Sequence, residues 1–171
     1  MPRFLEPQPL DGEHRISGFD CGVGSLDIWL ARHARAAAGA ESARTYVVID
    51  TEQGRVVGYY ALTLASIEQA EATERARKGM SRQPIPAMLL ARLAVDRTVQ
   101  GKGIGAFLLR DAMSRAVSVA EQAGMRLLLV HAVSEDARRF YEHFGFEQSP
   151  SDPMNLQLLT KDIRAALDSA D

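Results

Sequence analysis

Apolar positions along this chain change period several times, and each change predicts an element. Residues 3–10 form a first strand. Leu26, Trp29 and Leu30 then fall three and four apart. That spacing predicts a helix capped by Ser25, with Arg32, His33 and Arg35 further along it. "RTYVVID" (44–50) and "RVVGYYALTL" (55–64) are rich in β-formers and are joined by "TEQG", which reads as a hairpin. Residues 66–83 are polar and charged, and their pattern leaves helix or loop open. "AMLLARLAVD" (87–96) is a continuous apolar strand interrupted by Arg92. Leu108, Leu109, Ala112, Ala116, Val119, Ala120 and Ala123 follow at helical spacing, and Gly124 closes that helix. "MRLLLVHA" (125–132) is a further buried strand. Ser134 caps a helix with Glu135 and Asp136 in its first turn and Ala137, Phe140, Tyr141 and Phe144 on one stripe, ended by Gly145. "MNLQLLTK" (154–161) is a last strand.

Antiparallel pairs early and a crossover unit late make this an α/β (α+β) chain with a mixed central sheet flanked by helices. A chain of 171 residues suits one domain, 1–171. With one cysteine, Cys21, it has no internal disulfide, which suits a reducing compartment. No stretch resembles a signal peptide or approaches the ~20 apolar residues of a membrane span, so the cytoplasm is expected. The net charge of −2 hides an asymmetry. Residues 1–30 carry two basic and five acidic side chains (−3), 31–102 eleven and seven (+4), and 103–171 seven and ten (−3). The middle of the chain suits an anionic ligand.

Between the apolar strand and the long helix lies "VQGKGIGAFLL". A strand, a glycine-rich turn and a helix start make an anion site. The first helical amides have no internal partner, the helix dipole adds about half a positive charge, and glycine removes the Cβ atoms that would hold a pyrophosphate off. Lys102 adds a charge at the rim. A Walker loop is excluded, because Lys102 is followed by Gly103 rather than by Ser or Thr. "GKGIGA" satisfies the loose dinucleotide pattern, but the acidic residue expected about 20 positions on is Glu121, inside the long helix.

A third class fits these residues. "LAVDRTVQGKGIGAFLL" resembles the signature of the GNAT family of N-acetyltransferases, an apolar strand followed by [QR]-x-x-G-x-[GA], with Gln100, Gly103 and Gly105 at the fixed positions. "SEDARRFYEHFGF" (134–146) is similar to the family's second motif. The resemblance implies acetyl-CoA as donor and a primary amine as acceptor. It places the pyrophosphate on the turn from Gln100 through Gly101, Lys102, Gly103 and Ile104 to Gly105 and Ala106, and the pantetheine arm along Leu93, Ala94 and Val95. It makes the Val95 backbone N–H the donor to the oxyanion and Tyr141 the acid for the departing thiolate. A phenol of pKa about 10 is protonated at neutral pH, as an acid must be. His131 ends a strand and is as suited to a structural hydrogen bond as to a base; His14, His33 and His143 are peripheral. No clustered ligand spacing points to a metal.

"FDCGVGSLDIWLARHA", "ARTYVV", "VVGYYAL", "PIPAMLLARLAVD", "LLVHA", "FYEHFGF" and "SPSDPM" narrow the resemblance to the TacT-type acetyltransferase toxins, over about residues 15–160. Members acetylate the α-amine of aminoacyl-tRNA, and the resemblance implies a ribbon-helix-helix antitoxin and a homodimer. An α-amine titrates near 7.7–8.0 and its ester lower still, against ~10.4 for lysine, so this acceptor needs a base least. Arg32 and Arg35 lie three apart on one expected helix; Arg75, Arg77, Lys78 and Arg82 form a second cluster; Arg92 precedes the cofactor strand end. These are the candidate contacts to tRNA phosphates. Trp29 suits core packing better than base stacking. A housekeeping enzyme acting on a protein N-terminus, a lysine or a small amine remains the alternative, with a non-catalytic acetyl-CoA-binding module behind it.

Overall fold

A computed structural model of the chain describes residues 1–169; the last two positions of the expected 1–171 domain lie outside them. Its strands are β1 (Gln8–Pro9), β2 (Arg44–Asp50), β3 (Arg55–Ile67), β4 (Ile85–Val95), β5 (Leu127–His131), β6 (Glu147–Gln148) and β7 (Asn155–Leu159). Its helices are α1 (Gly24–Arg32), α2 (Ala34–Gly39), α3 (Glu74–Arg77), α4 (Ile104–Gln122), α5 (Glu135–His143) and α6 (Thr160–Asp168). The strands form one seven-stranded sheet in the order β1-β2-β3-β4-β5-β7-β6. The β4–β5 pair is parallel, and β1–β2, β2–β3, β5–β7 and β6–β7 are antiparallel, which is the expected mixed sheet. The chain groups into two compact units, each built from two separate stretches.

The first unit is Met1–Thr63 with Ala91–Ala112. Its core is Phe19, Leu26, Leu30, Ala34, Val47, Val56, Tyr59 and Ala94. The expected hairpin is β2–β3, with Gly54 at φ 65° in the turn and an irregular register at Val48/Ile49. The expected strand over 3–10 shrinks to Gln8–Pro9 and a single bridge from Phe4 to Asp50. Pro2, Pro7 and Pro9 carry no N–H, so this segment cannot sustain a ladder. Arg3 ties it down instead, with two hydrogen bonds to the buried Asp50 carboxylate at 3.1 and 2.9 Å. Ser25 is not the cap of α1. The helix begins at Gly24 after Val23, with no side-chain cap, and it breaks at His33 before α2.

The second unit is Leu64–Leu90 with the chain from Met113 onward. Its core includes Ala72, Ala76, Ile85, Ala87, Leu127, Leu129 and Leu159. Residues 66–83 hold a 3₁₀ turn at Gln69–Glu71 and the single helical turn α3, capped by Thr73. Arg126 satisfies the end of α3 by donating to the carbonyls of Arg75, Ala76 and Lys78 at 3.2, 3.3 and 3.1 Å. Ala87–Leu90 pair with Leu127–Val130, and β4 continues past that ladder to Val95. Ser134 caps α5 as expected, accepting from Ala137 N–H at 3.1 Å, and Gly145 at φ 96° ends it. Gly124 follows α4 but is not in the left-handed region. The expected strand 154–161 stops at Leu159, and Thr160 begins α6, whose amphipathic period the pattern over 154–161 conceals.

Candidate active site

The end of β4, the glycine turn and the start of α4 all lie in the first unit, and one carboxylate organises them. Asp96 is 1% exposed. Its oxygens accept from Arg55 at 3.0 and 3.2 Å, from the Asp20 N–H at 3.0 Å, and from the Thr98 N–H and hydroxyl at 3.0 and 2.7 Å. Burial by itself raises the Asp96 carboxyl, but the Arg55 guanidinium and the Asp20 and Thr98 donors outweigh it and hold it well below the usual carboxylate range. The loop Phe19–Val23 is bound to the same spot. Arg97 N–H donates to Asp20 O at 2.8 Å, and the Arg97 side chain lies against Gly22, where a Cβ would meet its Nε at 3.2 Å. This explains "FDCGVG": Gly22, at φ 93°, lets the loop approach the turn.

Gln100 closes the turn. Its side-chain amide donates to Val95 O at 2.8 Å and to Cys21 O at 3.0 Å. The side chain is thus spent on backbone, and what Gln100 can offer a ligand is its own amide. Gly101 and Gly103 adopt φ 81° and 84°, conformations that disfavour any side chain, and a Cβ on either would meet nothing within 4 Å. The surface above both glycines is therefore open. Phe107 N–H makes the first helical bond, to Gly103 O at 3.1 Å, so the amides of Ile104, Gly105 and Ala106 face outward from the helix. Gly105 lies inside α4, and Lys102 is exposed at the rim. Gly58 sets the position of this helix: a Cβ there would stand 3.1 Å from Leu108 Cδ1 and 3.2 Å from Ile104 Cγ2. The donor set and the open cradle fit a diphosphate.

Asp96 N–H donates to Val57 O of β3 at 2.8 Å. Successive strand residues aim their amides at opposite edges, so Val95 N–H points away from β3. Ala94 is buried in the core of the unit and offers only backbone, while Leu93 and Val95 are half-buried. Burial and Asp27 push the Cys21 thiol up to about 11, which disfavours the thiolate that a nucleophile needs.

Tyr141, in the second unit, is buried against Phe140 and Phe146. Burial alone drives its phenol upward, so it stays protonated. Among the described residues its hydroxyl has no hydrogen-bond partner. Buried Tyr59, in contrast, donates to Leu26 O at 2.6 Å, and Tyr60 donates to Asp111. His131 is exposed at the end of β5 and lines a cavity of about 50 Å³ with Glu71, Ser149 and Gln157. The Ser149 hydroxyl and Gln157 amide already bond Glu71 O there.

The candidate arginines separate into two kinds. Arg35 donates to the carbonyls of Asp11 and His14 at 3.1 and 2.7 Å, and so braces the N-terminal segment. Arg75 bridges Glu147 and Asp162 at 2.6 and 3.0 Å. Arg32, Arg77, Lys78 and Arg82 are exposed, with no such pairing among the described residues. Arg92 is half-buried with its Cζ 4.2 Å from the centroid of the Trp29 ring, which in turn stacks on Tyr59. Sequence reasoning missed Asp96, Arg55 and Gly22, whose partners lie far along the chain. It also placed Trp29 in the core without its arginine.

Residues 41–148 match the acetyltransferase (GNAT) domain family. Over 167 residues the chain is 44% identical to a tRNA-acetylating toxin of Mycobacterium tuberculosis, covering 98% of this chain and 99% of that one. It is similar in structure to AtaT complexed with acetyl-methionyl-tRNAfMet, with TM-score 0.87 and 30% identity over 96% of this chain and 99% of that one. It is also similar to a Tyr-to-Phe mutant of AtaT bound to the C-terminus of the antitoxin AtaR and acetyl-CoA, with TM-score 0.83 and 28% identity over 97% and 99%. Among the described residues, no helix is long and apolar enough to cross a membrane.

Proposed function

The chain belongs to the acetyltransferase (GNAT) family, and from that premise we propose that it is a toxin that moves the acetyl group of acetyl-CoA onto the α-amine of an aminoacyl-tRNA and thereby stops translation. The tRNA-acetylating relative and the AtaT complex with acetylated tRNA support this acceptor. The acetyl-CoA complex of AtaT supports the donor. The observation that carries the reading is the open turn Gln100–Gly105, with left-handed Gly101 and Gly103 ahead of the first-turn amides of α4, which have no partner within the helix.

Acetyl-CoA supplies an activated acetyl thioester. In this reading the amides from Gln100 to Ala106 hold its diphosphate, with Lys102 at the rim, and the backbone of Leu93–Val95 orients the pantetheine arm. Val95 N–H donates to the thioester oxygen as that oxygen gains negative charge, a contribution of ~3 kcal/mol where such donors have been removed from other enzymes. As the amine nitrogen bonds to the carbonyl carbon and the C–S bond breaks, Tyr141 delivers the phenolic proton to sulfur, and the proton shed by the amine returns to the phenolate through solvent. The Tyr141 hydroxyl has no partner among the described residues and is free to donate, and burial keeps the phenol protonated until the thiolate forms. The acceptor amine is partly free near neutral pH, far more so than a lysine, so no side chain has to deprotonate it strongly. Arg32, Arg77, Lys78, Arg82 and Arg92 contact tRNA phosphates, while Arg35 and Arg75 act through the local structure they brace. The 171 residues work as one acetyltransferase domain, as a homodimer, in the cytoplasm where charged tRNA is found. The AtaR complex supports an antitoxin partner, which we take to be of the ribbon-helix-helix kind.

The test is transfer of label from acetyl-CoA in mixtures holding charged tRNA, uncharged tRNA, protein and free amines. Label on the amino acid of charged tRNA is expected. Label that reaches only protein or free amines would establish the housekeeping alternative.

A further inference from the structure

Arg92 interrupts the apolar run of β4 and is half-buried. The Arg92 nitrogens are not among the buried unpaired atoms, so they reach water, although a half-buried guanidinium is ordinarily held by protein acceptors. Other arginines with comparable burial have them. Arg3 is on Asp50, Arg55 on Asp96, Arg126 on three carbonyls, and Arg138 on Glu135 and Glu142. Arg92 has neither a carboxylate nor a carbonyl among the described residues. What holds it is the Trp29 ring, 4.2 Å from Cζ. That ring lies against Tyr59 with centroids 6.0 Å apart and planes at 12°. The Tyr59 hydroxyl is anchored on Leu26 O at 2.6 Å.

An aromatic ring attracts the face of a guanidinium but accepts none of its in-plane N–H groups. The ring contact therefore holds Arg92 while its N–H groups stay unclaimed by any carboxylate or carbonyl among the described residues, and so remain for a ligand. Arg92 lies three residues before Val95 on one strand, about 10 Å. A terminal nucleotide spans a comparable distance. We infer that Trp29 is a positioning residue that holds Arg92 ready to receive a phosphate close to the aminoacylated end of the tRNA. This inference rests on the aminoacyl-tRNA reading above. The other phosphates in the reaction are those of coenzyme A, and the experiment separates the two sources.

Steady-state acetylation and binding of an aminoacyl-tRNA pool are measured across a salt series for Arg92→Gln, Trp29→Leu, Trp29→Phe and the Arg92→Gln/Trp29→Leu double variant. Calorimetry with acetyl-CoA runs in parallel. Arg92→Gln is expected to raise KM for aminoacyl-tRNA about tenfold and to reduce the salt slope of binding by about one, with acetyl-CoA affinity unchanged. Trp29→Leu reproduces that loss, Trp29→Phe restores most of it, and the double variant is no worse than Arg92→Gln alone. An Arg92→Gln protein with unaltered tRNA KM and salt slope overturns the inference. So does a loss confined to acetyl-CoA. If Trp29→Leu does not fold, Arg92→Gln and Trp29→Phe decide the matter: equal activity of wild type and Arg92→Gln, or a Trp29→Phe as impaired as Arg92→Gln, overturns it. A wild-type protein that never labels charged tRNA sinks the functional reading itself, whereas an active wild type matched by Arg92→Gln sinks only this step.

Discussion

Gln100 donates its side-chain amide to the carbonyl of Val95, five residues earlier, at 2.8 Å. The same nitrogen reaches Cys21 O at 3.0 Å. One side chain thus joins the end of β4, the glycine turn and the loop that precedes α1. Gln100→Ala removes both bonds. We expect a stability loss of about 1–2 kcal/mol in urea denaturation and a weaker acetyl-CoA complex by calorimetry. Unchanged acetyl-CoA affinity would show that the turn holds its shape without the clamp.

Gly103→Ala puts a Cβ on a residue at φ 84°. The backbone strain costs about 1 kcal/mol, and the methyl enters the open space above the turn. Acetyl-CoA affinity should fall by more than the melting transition does. A shift in stability with full acetyl-CoA affinity would mean that the diphosphate binds elsewhere.

Tyr141→Phe deletes a hydroxyl that has no partner among the described residues. Stability should therefore hold, because no hydrogen bond among those residues is lost. Turnover should drop roughly 10²–10⁴-fold, with acetyl-CoA affinity intact. Because burial raises the phenol, wild-type activity should show no decline assignable to Tyr141 between pH 6 and about 9, near the range of an ordinary phenol. Normal turnover of the variant removes Tyr141 from the chemistry.

Asp96→Ala leaves the largely buried Arg55 side chain, 13% exposed, without its counter-charge, and a loss of roughly 3 kcal/mol is expected at pH 7. The pH dependence has a definite sign. The Asp96 carboxyl titrates lower in the folded chain than in the unfolded one, so its stabilisation is complete above the usual carboxylate pKa of about 4. It is lost as pH falls toward the folded value. Urea melts from pH 7 to pH 3 should show the wild type losing this contribution below about pH 4 and Asp96→Ala lacking it throughout.

The Cys21 thiol is held up at about 11. At pH 8 it is almost wholly protonated, and alkylation should be slow, quickening in the unfolded chain, where the thiol returns to about 8.5. Equal rates in native buffer and in denaturant would contradict the burial seen at this residue.

Much of the fold was open to a reader of the chain. The hairpin around Gly54, the strand carrying Leu93–Val95, the long helix after Gly103 and the capped helix after Ser134 all follow from period and punctuation. Ser25 misled, because Asp27 turns back to the Cys21 N–H and the helix starts without a side-chain cap. Residues 3–10 misled because their prolines break the ladder their apolar neighbours suggest. Thr160 misled because α6 begins within an apolar run that reads as strand.

Amino-acid order alone carried whatever depends on neighbours: which residues can turn left-handed, which alternate, and where an amide-rich helix start follows a strand. Pairings across long separations belonged to the folded chain. Asp96 meets Asp20 and Arg55 across 76 and 41 positions, Arg92 finds a tryptophan rather than a carboxylate, and the Tyr141 hydroxyl has no hydrogen-bond partner among the described residues. Local propensity is summed over a few residues, whereas the partner of a buried polar group is chosen by strand register and helix packing.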